Sequence, residues 1–83
     1  MTLNSTPQNL VTRENVHSVN TLTVQNIMST GYAYLGNDSV TSSVFGHKLF
    51  PGQSFTIELA WSDNLYVVGD EGVQVAVMEI DRG

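Results

Sequence analysis

His17 and His47, the only histidines in the 83-residue chain, are the residues best suited to proton transfer or metal ligation near neutral pH. A zinc site needs three or four ligands held together. Here the two imidazoles lie far apart in sequence, cysteine is absent, and no carboxylate spacing completes a set. A serine nucleophile needs a base and an orienting acid. His47 with Asp38 or Asp63 supplies the residue types, but no G-x-S-x-G elbow occurs, and "PGQSF" is turn chemistry. Paired carboxylates for glycoside cleavage must flank a cleft. The acids are scattered instead, with Glu58 and Glu79 inside β-patterned runs. "GDEG", with Asp70 and Glu71, is too short to give calcium six oxygen ligands. The expectation is a protein that is not an enzyme and holds no metal or cofactor. What remains is aromatic: Trp61 with Tyr66, or Tyr32 with Tyr34, as a platform for a sugar or peptide.

These side chains must be positioned by short strands. "NTLTVQN" alternates Leu22 and Val24 with polar neighbours, as a half-buried strand does. "YAYLG" sets Tyr32 and Tyr34 on one face, Ala33 and Leu35 on the other. "GND" is a turn, Val40 to Val44 reads as a short polar strand, and the glycine of "FGHKLF" suggests a bend. Pro51–Gly52 is a type II turn signal, because proline sets the first φ and glycine supplies the positive second one. "SFTIEL" alternates Phe55, Ile57 and Leu59 against Ser54, Thr56 and Glu58. After the "WSDN" turn, "LYVV" is a strand, "GDEG" a hairpin loop and "VQVAVMEI" the last strand. The last strand is apolar on both faces, with Val73, Val75 and Val77 on one side and Ala76, Met78 and Ile80 on the other. Burial on both sides is the expectation, with the second cover supplied by another subunit.

Links this short make the sheets antiparallel. The predicted fold class is all-β: a small antiparallel β-sandwich or barrel of six to seven short strands. Residues 1–19 show neither alternation nor a helical stripe and read as an extended N-terminal arm, leaving 20–83 as the body. Without a core of its own, such an arm is expected to lie against a neighbouring subunit through Leu3, Leu10, Val11 and Val16. Met78 and Ile80 are the expected interface residues of the body.

Composition narrows the function classes. Charged residues make up 13% of the chain and the net charge is −5, so there is too little positive charge for a stripe along a phosphate backbone. No nucleic acid partner is expected. No run approaches the roughly eighteen apolar residues of a membrane helix, so no membrane partner is expected either. "MTLNSTPQNL" has neither a basic n-region nor an apolar h-region, which predicts synthesis in a cytoplasm without a secretory route. "NST" at Asn4 and "NDS" at Asn37 then read as loop residues rather than glycan acceptors. A small domain without disulfides gains support from oligomerisation or from docking on a larger body.

Tyr34 and Gly36, Val40 and Thr41, Leu49, Pro51 to Ser54, and Leu65 with Tyr66 follow the order Y-x-G, V-T, L-x-PG-[EQ]-S and LY. In this order the chain resembles short all-β virion proteins of tailed bacteriophages, over about Thr21 to Ile80. The resemblance implies a structural role and no catalytic residue. The implied function is capsid decoration: a cement protein that binds the lattice of the major capsid protein and bridges its subunits. It would act in the virion as a homo-oligomer, with a trimer favoured. The alternative from the residues is a β-sandwich module recognising a glycan or peptide on a host surface, through Trp61 and Tyr66.

Overall fold

The computed structural model describes residues 1–11, 20–59 and 63–81. Among them are seven strands and no helix: β1 (Gln8–Asn9), β2 (Asn20–Asn26), β3 (Ala33–Gly36), β4 (His47–Leu49), β5 (Ser54–Leu59), β6 (Tyr66–Gly69) and β7 (Val75–Asp81). All pairings are antiparallel, in two sheets of order β1-β6-β3-β4 and β5-β2-β7. The fold is all-β and resembles a small sandwich.

Strand alternation sets the core. In β2, Leu22 and Val24 point inward, paired with Ile57 and Phe55 of β5. In β3, Ala33 and Leu35 point inward, opposite Leu49 and His47 of β4 and Gly69 and Val67 of β6. These inner rows meet in one cluster that includes Leu22, Val24, Ala33, Leu35, Leu49, Leu59, Val67 and Val75. The His47 ring lies 4.7 Å from that of Phe55, which places β4 over β5 at one side of the sandwich.

The other side is closed by the N-terminal segment, and here the structure corrects the expected arm. Leu3 N donates to Val73 O at 2.8 Å and Gly72 N to Leu3 O at 3.2 Å. Thr2 bridges Gln74, and Gln8 and Asn9 pair with Val67 and Tyr66. Leu3 and Leu10 are buried in the chain's own core, and Val11 packs against it half-buried. Residues 1–11 are therefore part of the body. The reason is local vacancy: Gly69 lacks a Cβ, and one built there would meet Leu3 Cδ1 at 2.7 Å. Leu3 fills the space that the glycine leaves.

Among the described residues, a single polar side chain is buried in this interior. Asn26, 0% exposed, ends β2. Its Nδ2 donates to Gly31 O (3.1 Å) and Leu49 O (3.2 Å), while its Oδ1 accepts from Met28 N at 3.0 Å. Its backbone adds bonds to Gln53 O and from Gly52 N. The amide thus satisfies buried and part-buried backbone groups and ties β2 of one sheet to β4 of the other. A buried polar group is stable only under such satisfaction.

The Pro51–Gly52 turn closes with Gln53 N donating to Phe50 O at 3.0 Å, and Gly52 has the positive φ (82°) that a type II turn demands. Gly31 is more constrained: its φ is +92° and a Cβ would lie 2.6 Å from Val73 Cγ2. Gly31→Ala combines backbone strain with a core clash, and is expected to lower stability by about 2 kcal/mol in urea denaturation.

Two other expectations change. Residues 40–44 form a loop, because Thr41 Oγ1 accepts from Ser43 N and Val44 N and Thr41 and Val44 bond each other's backbones. Local side-chain acceptors of this kind outcompete a ladder. The "GDEG" segment is not a hairpin: β6 and β7 lie in different sheets, so the chain crosses between layers there. Asp70 Oδ2 accepts from Tyr32 N at 3.1 Å, which ties the crossing to the start of β3.

Candidate functional site

The two outer faces of the sandwich differ. On the outer face of β1-β6-β3-β4, the loop from Asn37 to Gly46 folds back over the strands. Asn37 Oδ1 accepts from Ser39 N (2.9 Å) and Asn37 O from Val40 N (3.0 Å), a tight turn that drives Val40 inward. Val40 is buried against Tyr34 and Val68, with Tyr32 and Tyr66 packed around them. This sheet carries a second small core supplied by its own chain.

The outer face of β5-β2-β7 has no such loop over it among the described residues. Register places Glu58, Thr21 and Ile80 in one row, Thr56, Thr23 and Met78 in the next, and Ser54, Gln25 and Ala76 in the third. Thr23 and Thr56 share a hydroxyl–hydroxyl bond of 3.0 Å, which links the polar half of the middle row. Met78 and Ile80 are 55% and 49% exposed, and Val77 on the opposite face of β7 is also exposed. Glu58 is the one ionisable side chain in those rows. The result is a nearly uncharged surface with an apolar border along β7.

A third feature lies along β3 and β4. Tyr34 pairs with Lys48, so both project outward, and Tyr32 and Phe50 follow one step along. Lys48 Nζ lies 4.2 Å from the Tyr32 ring centre, 5.1 Å from that of Phe50 and 5.7 Å from that of Tyr34. Tyr32 and Phe50 meet edge to face at 5.3 Å. Phe45, from the covering loop, lies 5.1 Å from Tyr34. An ammonium over aromatic faces is held by the ring quadrupoles, worth roughly 0.5–2 kcal/mol according to exposure. Lys48 is the only lysine or arginine among the described residues.

Of the residues singled out from sequence, Met78 and Ile80 are exposed in the single chain. Leu3 and Leu10 do not: they are core residues and cannot also form an outward interface. Val16, Trp61 and His17 lie outside the described residues. Tyr66 is half-buried against the Tyr34–Val40–Val68 cluster. His47 stacks on Phe55, and the described residues contain no group of three histidines, cysteines or acids able to hold a metal. Asn4 Oδ1 accepts from Thr6 N, and Asn37 Oδ1 from Ser39 N, so both asparagines shape local turns. Tyr32 and Tyr34, singled out together, both face Lys48 Nζ; Lys48 and Phe50 were missed, although "KLF" places them two apart, on one face of a strand. No family model, curated protein or solved structure matches this chain.

Proposed function

We propose that this protein is a non-catalytic structural subunit of a bacteriophage virion, a capsid decoration protein. It docks on the major capsid protein lattice and on copies of itself, with a trimer favoured. The observation that carries the reading is the outer face of β5-β2-β7, over which no loop folds among the described residues. One sheet of the sandwich is covered by the chain's own loop, while the other presents Met78 and Ile80 beside a row of threonines. Exposed apolar surface bordered by polar residues is characteristic of association surfaces. The low charge of the chain supports the same reading, since few ionised groups need be desolvated when such a face is covered. The resemblance of its strand-and-turn order to short phage virion proteins supports the identity of the partner.

The test is mass and stoichiometry. The chain is expected to sediment as a homo-oligomer at micromolar concentration and to be present in hundreds of copies per particle, on the order of a capsid lattice. A Met78→Asp/Ile80→Asp variant is expected to be folded, with stability within about 1 kcal/mol of the parent for exposed strand positions. It is expected to be monomeric and to bind particles at least tenfold more weakly, since each 1.4 kcal/mol of lost contact is a factor of ten. A parent chain that is monomeric, with particle binding untouched by the double substitution, refutes the reading.

A further inference from the structure

The last residue of β2 fixes which way the main-chain groups of β5 point. Asn26 N donates to Gln53 O at 2.9 Å and Gly52 N donates to Asn26 O at 2.9 Å, so the polar groups of Asn26 face β5. Ile27 N donates the other way, to Gln74 O beside β7. By the two-residue period, Val24 and Leu22 also bond toward β5, where their partners are Phe55 and Ile57. The N–H and C=O groups of Ser54 and Thr56 therefore point away from β2. β5 is the edge of its sheet, and no described residue bonds those groups there.

The other edges are short or occupied at one end. β1 has two residues and β4 three. At the start of β7, Leu3 N donates to Val73 O, and Met1 and Val75 exchange both main-chain bonds at 3.0 Å. β5 keeps six residues in unbroken register with β2, without proline, lysine or a bulge. An edge of this kind is a template for one more strand.

The side chains beside the edge say what that strand carries. A residue opposite Phe55 shares its face of the sheet, the inner one. There Phe55 of β5 and His47 of β4 wall a pocket of about 260 Å³, with Leu35 and Leu65 among its other walls. An apolar side chain suits that lining. A residue opposite Thr56 shares the outer face, where a hydroxyl is complementary. Next in the outer row is Glu58, in a chain of net charge −5, so its cross-strand complement is a lysine or arginine.

We infer that the β5 edge is a docking site for an extended segment of another protein, added antiparallel beside β5 with an apolar side chain opposite Phe55 and a cation opposite Glu58. Main-chain bonds to Ser54 and Thr56 give the affinity, and the pocket and the charge give the selection. A second copy of this acidic chain is the less complementary occupant. The site does not rest on the assembly reading, because Met78 and Ile80 lie on β7, at the opposite edge of the sheet.

The experiment combines a chemical-shift titration with amide hydrogen exchange on the full-length chain. The probe is acetyl-Lys-Val-Thr-Leu-Ser-amide, whose antiparallel register sets its lysine opposite Glu58 and its leucine opposite Phe55. Saturable shifts on β5 are expected, with exchange of the Ser54 and Thr56 amides slowed at least about tenfold. The amides of Phe55 and Ile57, already bonded to β2, should change little. N-methylation of the peptide threonine removes the donor to Thr56 O and is expected to weaken binding at least about tenfold, as is aspartate for the leucine or glutamate for the lysine. Thr56→Pro deletes the outward N–H and leaves the β2 ladder intact, so the variant is expected to fold and to lose the peptide. Should it not fold, the methylated peptide makes the same test on the parent chain. Undiminished binding of the methylated peptide or of a scrambled one, shifts centred on β7, or no saturable shifts at all would overturn the site. Protection of Ser54 and Thr56 that rises with protein concentration, without peptide, would give the edge to a second copy and overturn the assignment of the partner.

Discussion

Replacing Asn26 by Ala is expected to lower stability by about 2–4 kcal/mol, because Leu49 O in the interior and Gly31 O and Met28 N at its edge lose their side-chain partner. A domain of this length is held by roughly 4–12 kcal/mol, so the urea midpoint should fall by about 2 M, at a slope of about 1–1.5 kcal/mol per molar urea. Asn26→Asp is expected to cost more at neutral pH. It keeps the shape but turns the donor that serves two carbonyls into an acceptor, and it places a charge among them. The loss should shrink in acid, where a protonated carboxyl can donate to one of those carbonyls. Burial raises the carboxyl pKa in the folded variant, so folding takes up a proton and stability falls as pH rises through that pKa. A variant whose midpoint is unchanged, or whose deficit is the same at pH 4 and pH 7, would show that the amide does not hold the two sheets together as described.

The second large effect concerns the N-terminal segment. Leu3→Ala is expected to cost about 3 kcal/mol, within the 2–5 kcal/mol range of buried leucine truncations. An arm that served only a neighbouring molecule would show almost no change in the isolated chain. Gly69→Ala attacks the same contact from the other side, since its methyl would press on Leu3 Cδ1 at 2.7 Å and Leu3 Cβ at 3.0 Å. Its expected cost is about 1–3 kcal/mol. In the double variant, the space vacated by the leucine accepts part of the new methyl, so the combined loss should be smaller than the sum. Additivity within about 0.3 kcal/mol would mean that the two positions do not touch. The same contacts predict that removing residues 1–11 leaves a chain with an open core rather than a folded body lacking an appendage.

Residue by residue, the strands were legible where two conditions held together. "SFTIEL" and "NTLTVQN" alternate, and each is bounded by turn residues, so both the element and its inward face followed from local pattern. Pro51–Gly52 was legible for the same local reason. Residues 40–44 were not, since Val40 and Val44 suggest a strand while Thr41 supplies the acceptor that ends one. The apolar outer row of β7 was visible in sequence, and the structure leaves it exposed. The lysine–aromatic cluster was present as two i, i+2 pairs. Nothing local specifies that β3 and β4 bring them side by side.

Composition and alternation by themselves determined that this chain is all-β, antiparallel and short-stranded, and that its last strand is apolar on both faces. These are properties of neighbouring residues, set by the two-residue period of extended backbone. Tertiary structure alone decided that Leu3 and Leu10 belong to the core, that β6 and β7 part into different sheets, and that Lys48 sits among three rings. Each of these depends on which distant surface offers unfilled apolar space. Leu3 has no period to announce it; it is buried because Gly69, far along the chain, leaves a vacancy of its shape.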